Sequence, residues 1–357
     1  MFLILGSPRS GTTWLAKIFD SHPDLLYLHE PDTVVRSKSF LPPYIEDEDL
    51  EAFQSAAQQY CERMVSARTI KTVGSTPIFN KTYRGVGANL SHSLMLMSLK
   101  LAAKLSVFGK TISGLNIPDL ARSQVPLDKV VVKSVSGHGY AKLLASALRG
   151  TKIVIIVRDP RGHVASVLRG IKARRFEGNV QATKDWGIYE DLARTKQAKQ
   201  YGIDFAAFRA MDDVERLAWR WALTNEKLIQ EFSGHPGAKL ILYEDLCHAP
   251  LKEAHDIFDF FGLGWPDQTE EFLKKSQKPR GGSRLFSQGY YSVWHDPMTA
   301  ASHWRSELDS EIADRIMAAI GHTQPARLFP DDKSYAVHVP RRAQNDGRPL
   351  TVALSGS

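Results

Sequence analysis

The sequence contains little cysteine and no long apolar stretch, and both absences limit what the protein can be. Only two of its 357 residues are cysteines, Cys61 and Cys247, which lie far apart and in no CxxC or Cys/His cluster. This argues against a disulfide framework and a thiolate metal site, and it fits a reducing compartment. No run of about 18 apolar residues occurs, and the apolar residues 1–5 have neither the basic segment nor the length of a secretory signal. We therefore expect a cytoplasmic protein with no membrane span and no bound metal.

The charge balance is basic, but it does not select a function by itself. The chain has 46 Lys and Arg residues against 39 Asp and Glu residues, a formal net charge of +7. Such an excess attracts an anionic ligand, an acidic polymer or a phospholipid surface. A solvated basic surface accounts for the same numbers. Hydrophobic residues make up 43% of the chain and charged residues 24%, which is typical of a folded globular protein.

Short apolar runs rich in Val and Ile alternate with helical patterns along most of the chain. The apolar runs are typical of buried parallel strands and cover residues 2–5, 129–132, 153–157 and 239–243. The helical patterns between and after them cover residues 12–20, 140–148, 160–172 and 212–232. This alternation predicts a P-loop-like α/β fold, a doubly wound parallel sheet with helices on both faces.

Two amphipathic patterns, at residues 46–68 and 90–108, interrupt the alternation after the second strand. We expect an inserted helical segment at about residues 46–108 of one domain that spans residues 1–335. The apolar residues of the second pattern are interpreted as core; they are Leu94, Met95, Met97, Leu99 and Leu101. A segment rich in Gly, Ser and Arg at about residues 275–297 predicts a functional loop or lid. Residues 336–357 have no periodicity and predict an extended or disordered tail.

A phosphate-binding loop is indicated where residues 6–13 follow the first strand and open a helix. Their spacing is that of G-x-x-x-x-G-K-[ST], with Thr12 in the place of the Lys. Since an NTPase uses that Lys on the β- and γ-phosphates, its absence argues against nucleoside triphosphate chemistry. Arg9 offers a cation for a shorter anionic group. The alternative is a tight turn from strand to helix, capped by Ser10 or Thr12.

At this loop the sequence resembles the sulfotransferase family that uses 3′-phosphoadenosine 5′-phosphosulfate (PAPS). The family's first signature is a Pro-Arg/Lys-Ser-Gly-Thr-Thr loop. The matching residues are Pro8, Arg9, Ser10, Gly11, Thr12, Thr13 and Trp14. The resemblance implies that residues 9–14 bind the 5′-phosphosulfate of the donor, with Arg9 also acting in catalysis.

A second anion site is indicated after the strand at residues 153–157. Asp159 and Pro160 are typical of a helix start, so Arg158 leaves the strand end and Ser166, eight residues later, lies about two turns along the helix. Both side chains can then reach one anion. The plainer alternative is a helix start with surface arginines. In the resembled family an Arg and a Ser at this spacing bind the 3′-phosphate that distinguishes PAPS, which implies that role for Arg158 and Ser166.

Further resemblance extends over most of the chain. Residues 239–246 resemble the family's Tyr-Glu-Asp-Leu segment, and Trp304 and Arg305 resemble its late Trp-Arg element. The Arg-Lys-Gly-x-x-Gly-Asp-Trp run of the cytosolic branch is absent, and residues 280–284 imitate it only loosely. The chain therefore resembles the carbohydrate and tyrosylprotein branches more closely. The late loop, with Ser287, Tyr290, Tyr291 and Ser292, is a candidate to close over the donor, and the alternative is an aromatic-rich loop that only packs on the protein.

The catalytic residues are expected where the second and third strands end. In the carbohydrate and tyrosylprotein branches a Glu after the second strand acts as the base, which implies this role for Glu30. His29 is the competing base, and because adjacent strand residues point to opposite faces, we expect only one of the two to serve. Lys133 ends the third strand, and the family has a Lys here that touches the transferring sulfonate or its leaving oxygen. A strand-end Lys that extends into solvent is the alternative.

The resemblance implies a sulfotransferase that moves a sulfonyl group from PAPS to a hydroxyl or amine acceptor and releases 3′-phosphoadenosine 5′-phosphate (PAP). A glycan or glycoconjugate is the expected acceptor, and no nucleic acid is expected as a partner. The alternatives are a P-loop kinase of a small metabolite and a non-enzymatic polyanion-binding protein. A basic run is interpreted as a solvated helix end, or as a contact for an acidic glycan; it consists of Arg169, Lys172, Arg174 and Arg175.

Overall fold

A computed structural model describes residues 1–35, 40–105, 114–119, 124–173, 182–278, 294 and 296–330 of the chain. Five strands form one sheet in which every neighbouring pair is parallel. They are β1 (Phe2–Leu5), β2 (Leu26–His29), β3 (Val130–Ser134), β4 (Lys152–Val157) and β5 (Ala238–Leu242). Each strand that the apolar runs predicted is present within two residues of the expected bounds.

The strand order β2-β3-β1-β4-β5 places β1 in the centre of the sheet. Leu5 at the end of β1 pairs with Ser134 of β3 and with Ile155 of β4. The chain continues from β1 toward one side of the sheet and later returns to the other side. In parallel α/β sheets, ligands bind outside the carboxyl ends of the strands at this kind of reversal. The loops after β1, β2, β3 and β4 therefore meet at one edge.

Helices cover both faces of the sheet. Those before β4 are α1 (Thr12–Ser21), α2 (Pro31–Val35), α3 (Leu50–Ser66), α4 (Ile70–Val73), α5 (Val86–Leu105) and α6 (Ala141–Ala147). Those between β4 and β5 are α7 (Pro160–Lys172), α8 (Trp186–Ala193), α9 (Lys196–Gln200), α10 (Phe205–Ala210) and α11 (Asp213–Phe232). After β5 follow α12 (Tyr243–His248), α13 (Pro250–Phe260), α14 (Asp267–Ser276), α15 (Pro297–Ser302), α16 (Trp304–Glu307) and α17 (Ser310–Ile320).

Alternate residues of each strand enter two different hydrophobic cores. Leu3 and Leu5 pack with residues of α3, α6, α7 and α11 on one face of the sheet. Phe2 and Ile4 pack with residues of α1, α12, α13 and α14 on the other. This follows from the period of two along a strand, which buries both faces when helices cover both. The predicted doubly wound α/β fold is confirmed.

The segment between β2 and β3 contains the two long helices α3 and α5, where the sequence predicted an insertion at about residues 46–108. The interpretation of its apolar stripe as core is wrong for Leu94, Met97 and Leu101, which are exposed. Helix α5 is apolar on several sides, and only the side with Leu96 faces Ile70 and Ile117. Periodicity alone therefore did not show which side is buried.

Two segments predicted from the sequence lie partly or wholly outside the described residues. Most of the predicted loop at residues 275–297 and all of the tail at residues 336–357 belong to this group. The single domain over residues 1–335 stays a prediction. In the ranges that the structure describes, no helix is both long enough and apolar enough to cross a membrane.

A buried cluster of charges ties the inserted segment to α1. Lys17 has no exposed surface, and its Nζ donates to Asp20 Oδ2 at 2.6 Å and to the Ser75 and Pro77 carbonyls at 2.6 and 2.9 Å. Lys81 Nζ lies 3.0 Å from Asp20 Oδ1. One carboxylate thus compensates two buried ammonium groups, so the position of the chain around residues 75–81 depends on Asp20.

Replacing Asp20 by Asn should lower the free energy of unfolding by about 3 to 5 kcal/mol, because two buried ammonium groups lose their counter-charge. Asp256→Asn is the matched control, since Asp256 forms an exposed pair with Lys252 at 2.6 Å and its loss should cost about 1 kcal/mol or less. Urea unfolding followed by circular dichroism measures both. Equal losses in the two variants would contradict the structural role of the buried cluster.

Candidate functional site

The loop between β1 and α1 has a backbone shaped to receive an anion. Arg9 and Gly11 have left-handed φ values of 75° and 87°. Ser10 is fully buried, and its hydroxyl donates to the Ser7 carbonyl at 2.6 Å, which closes the turn. Gly11 stands at the N-terminus of α1 and gives no side-chain cap. Since the first amides of a helix have no intrahelical acceptor, this end of α1 can hold a negatively charged group.

Glycine is required at position 11 for two reasons. Its φ is in the left-handed region, which L side chains rarely adopt. A Cβ at Gly11 would also lie 2.2 Å from Cδ2 of Tyr243, at the start of α12. The ring of Tyr243 therefore packs directly on the loop. In the sequence, the segment around Tyr243 is marked only by a family resemblance, and no local signal indicates this contact.

Arg158 lies under the same loop. Its Nη1 donates to the Arg9 carbonyl at 3.0 Å and its Nη2 to the Ala300 carbonyl at 2.9 Å. Its guanidinium lies 4.8 Å from the centre of the Tyr243 ring. The Nε of Arg158 is buried and has no hydrogen-bond acceptor within the described part of the chain. Arg158 thus supports the loop and retains an unused donor.

Arg9 joins the two predicted anion sites. Its Nε donates to Ser166 Oγ at 3.0 Å, and Arg169 Nη2 approaches the same hydroxyl at 3.4 Å. The structure therefore brings Arg9, Arg158 and Ser166 together. The side chain of Arg9 donates to Ser166, and the side chain of Arg158 donates to the Arg9 carbonyl. The predicted helix start at Asp159 is present as well, since its side chain accepts from the Arg161 amide at 2.8 Å.

Thr12, Thr13 and Trp14, the last residues of the predicted donor-binding loop, lie in the first turn of α1. Thr12 is buried and Thr13 half-buried in the first turn of α1. Trp14 departs from the expected donor contact, because its indole Nε1 donates to Ser276 Oγ at 3.1 Å and its ring is buried in the core that α1 shares with α14. It lies on the side of α1 that packs on α14, so we correct its role to one in helix packing.

Glu30 and Lys133 form an ion pair at the same edge of the sheet. The Lys133 ammonium contacts the Glu30 carboxylate, and the Glu30 amide donates to the Lys133 carbonyl at 3.0 Å. Lys133 is almost completely buried, at 2% exposure, so it is not a strand-end Lys that extends into solvent. The two predicted catalytic side chains therefore lie together.

The expectation that His29 and Glu30 point to opposite faces is wrong, while the expectation that only one of them serves as the base stays a prediction. Strand β2 ends at His29, and Glu30 has a left-handed φ of 44°, so the alternation of a strand does not extend to it. The Nε2 of His29 lies 4.0 Å from Glu30 Oε1. Both side chains therefore border the same space.

The charges around this pair determine its protonation. Burial, followed by the field of Lys133, lowers the pKa of His29 to about 3, so its imidazole is neutral near neutral pH. Burial raises the pKa of Glu30, but Lys133 and other positive neighbours outweigh burial and lower that pKa below its usual value. Burial lowers the pKa of Lys133, with Glu30 opposing the shift. Glu30 is thus an ionised carboxylate near neutral pH.

Lys71 is a site residue that the sequence analysis missed. Its Nζ lies 3.9 Å from Glu30 Oε2, and its side chain is 42% exposed. It reaches Glu30 from α4, in the inserted segment, about 40 residues along the chain. No spacing or motif marks it, because its contact depends only on how α4 packs over the end of β2.

Other predicted positions cannot be located. Residues 280–284, the late-loop residues Ser287, Tyr290, Tyr291 and Ser292, and the basic residues Arg174 and Arg175 lie outside the described part of the chain. Among the residues that are described, no group of three or more His, Cys, Asp or Glu side chains could hold a metal ion. The expectation of a metal-free site stays a prediction.

Comparisons with known proteins show which proteins this chain is similar to. A family model described as "Sulfotransferase family" matches residues 2–267. Carbohydrate sulfotransferase 1 of Danio rerio is 22% identical over 342 residues, which cover 90% of this chain and 75% of that protein. Carbohydrate sulfotransferase 1 of Homo sapiens is 21% identical over 348 residues, which cover 90% and 78%. The sulfotransferase domain from the curacin biosynthetic pathway has a TM-score of 0.42 at 15% identity, covering 89% of this chain and 96% of that one.

Replacing Gly11 by Ala should lower the free energy of unfolding by about 3 kcal/mol, because it adds both left-handed strain and a collision with Tyr243. Gly150→Ala is the matched control: Gly150 has a φ of 74° and no atom near its added Cβ, so only the strain of about 1 kcal/mol applies. Chemical denaturation separates the two. A Gly11→Ala variant as stable as Gly150→Ala would show that Tyr243 does not restrict the loop.

Proposed function

The chain belongs to the sulfotransferase family and is therefore a PAPS-dependent sulfotransferase, and we propose that it transfers the sulfonyl group to a carbohydrate hydroxyl through Glu30 and Lys133. The observation that carries this proposal is the ion pair between these two residues. The ion pair lies at the edge of the sheet where the parallel strands end, and the loop of residues 6–11 follows β1 at the same edge. The two alternative functions, a metabolite kinase and a non-enzymatic polyanion-binding protein, are not the activity of the sulfotransferase family.

The residues of the loop fit an anionic donor. The uncapped N-terminus of α1, the guanidinium of Arg9 and the unused Nε of Arg158 all favour a negatively charged group. PAPS supplies the sulfonyl group and has anionic groups at its 5′ and 3′ positions. In our proposal, residues 9–13 hold the 5′ side, and Arg158 with Ser166 holds the 3′-phosphate. Arg9, which contacts both of them, connects the two subsites.

Glu30 is proposed to accept the proton of the acceptor hydroxyl. A general base must be unprotonated, and Glu30 is ionised near neutral pH because Lys133 and Lys71 lower its pKa. The acceptor oxygen becomes acidic only as its bond to sulfur forms, so a carboxylate is a sufficient base at that moment. Lys133 places a buried positive charge beside Glu30, where it can stabilise negative charge that develops on the leaving oxygen.

His29 is the weaker candidate for the base. Its pKa of about 3 makes its imidazole a weak base, and its Nδ1 shares a 2.7 Å hydrogen bond with the Tyr27 hydroxyl. Protonating it beside Lys133 would bring two positive charges together in a buried space. We therefore propose that His29 orients its neighbours, and that Glu30 takes the proton.

The carbohydrate acceptor is proposed from the relatives. Those compared above are named carbohydrate sulfotransferases, and the matches cover 90% of this chain. The exposed ammonium of Lys71 beside Glu30 adds a polar contact for a hydroxylated or acidic sugar. A cytoplasmic location, expected from the low cysteine content, stays a prediction.

PAP should bind at least tenfold more tightly than AMP, because charge-assisted contacts to the 3′-phosphate contribute about 1.5 to 3 kcal/mol each. Arg158→Ala should remove most of this preference, and Ser166→Ala should reduce it with little disturbance of the fold. Arg315→Ala is the control, since Arg315 is exposed and paired with Asp212. Isothermal titration calorimetry measures all four proteins. If both site variants still prefer PAP as the wild type does, the 3′-phosphate site is misplaced.

Glu30→Gln should lower kcat by roughly 10² to 10⁴, because the amide keeps the shape but cannot accept the proton. PAP affinity should change only a few-fold, and His29→Ala should have a much smaller effect on kcat. Steady-state assays with labelled donor and a set of carbohydrate acceptors measure these rates. A nearly active Glu30→Gln beside an inactive His29→Ala would move the base to His29.

The pH profile tests the protonation states of the site. Because the pKa of Glu30 is lowered and that of His29 is about 3, activity should persist as pH falls until below the ordinary Glu value of about 4.3. A loss of activity at about pH 6.5 would contradict both assignments. At alkaline pH, activity should be lost when the Lys133 ammonium gives up its proton. Because the pKa of Lys133 is lowered, this loss should begin at a pH below the ordinary Lys value of about 10.4.

A further inference from the structure

One face of α5 is apolar and exposed along its whole length. Five large side chains project from it, and the exposed fraction is 91% for Val86, 63% for Leu90, 57% for Leu94, 57% for Met97 and 58% for Leu101. Their spacing of three or four residues places them on one side of a helix. We call the surface formed by these five side chains the α5 face. Within residues 86–103, none of the exposed residues is charged.

The opposite side of α5 is fixed to the protein. Leu96 is fully buried against Ile70 and Ile117, and Lys100 Nζ donates to the Gly74 carbonyl at 2.7 Å. The helix cannot rotate to bury the α5 face without losing these contacts. A contiguous exposed apolar surface on a folded protein usually marks an interaction site.

The charge pattern of α5 favours an anionic lipid surface as the partner. The helix contains no Asp or Glu that would repel an anionic surface. The chain as a whole carries a formal net charge of +7. An apolar helix face can enter the membrane interface, and anionic lipids add electrostatic attraction for a protein with excess positive charge.

The shape of the α5 face fits a lipid surface better than a second copy of the chain. From Val86 to Leu101 the strip is about 22 Å long and, as one helix face, about 10 Å wide. Each subunit of a stable complex buries roughly 800 Å², which a single convex strip of this size does not supply. A helix face can, however, insert alone between lipid headgroups, because the bilayer adapts to its shape.

We propose that the α5 face docks this protein on a membrane surface that carries anionic lipids. The docking does not depend on the acceptor proposed above. It has a consequence for the site, since α5 packs on α4 through Ile70, and α4 carries Lys71 beside Glu30. The docked enzyme would hold the acceptor side of its site close to the membrane.

Vesicle co-sedimentation of the full chain tests the proposal. The wild type should sediment with vesicles of phosphatidylcholine and phosphatidylglycerol, and less with phosphatidylcholine alone. The double variant Leu94→Ser/Met97→Ser should bind the mixed vesicles at least tenfold more weakly, because two side chains that enter the apolar region are lost. The control Leu127→Ser/Met298→Ser changes the same residue types at sites that are 42% and 47% exposed but lie outside α5. It should bind as the wild type does.

Three outcomes would overturn the proposal. The first is that the wild type does not sediment with the mixed vesicles. The second is that the two double variants lose vesicle binding equally. The third is that light scattering shows a dimer that only Leu94→Ser/Met97→Ser abolishes. The last would identify the partner as a second copy. PAP titration of every variant separates this inference from the proposed function: failed vesicle binding with an intact preference for PAP over AMP would refute the docking alone.

Discussion

The ring of Tyr243 packs between residues that follow three different strands of the sheet. It packs on Gly11, where no Cβ could fit, and it lies under the guanidinium of Arg158. Arg158 in turn donates to the Arg9 carbonyl. Residues that follow β1, β4 and β5 are thus joined by one aromatic side chain and one cation. The left-handed conformation of Arg9 is unfavourable for an L residue and is held by these contacts, whereas Gly11 adopts its left-handed φ at no steric cost.

The second half of the site is organised by charge. Glu30 lies between the buried ammonium of Lys133 and the exposed ammonium of Lys71. Two cations beside one carboxylate keep it ionised and leave net positive charge next to the loop after β1. A site with this balance favours an anionic donor before any base acts on the acceptor. Burial, and after it the field of Lys133, lowers the pKa of His29 at the same place, so its imidazole stays neutral.

The inserted segment connects these features to the surface. Its position depends on the buried cluster of Lys17, Asp20 and Lys81, which fixes the chain next to α1. The same segment brings Lys71 to Glu30 through α4 and exposes the α5 face to solvent. One stretch of chain therefore has a packed inner side, a polar contact with the site and an apolar outer side.

Local chemistry determined much of this protein from its sequence alone. Apolar runs predicted the strands, Asp159 and Pro160 predicted the start of α7, and the glycine spacing predicted the loop before α1, because each depends on neighbouring residues. Only the tertiary structure decided which side of α5 is exposed, that Trp14 turns into the core, and that Lys71 reaches Glu30. The left-handed backbone at Glu30, which lets His29 share its space, belongs to the same group. These features depend on packing between segments that are distant along the chain, and periodicity, spacing and propensity carry no information about such contacts.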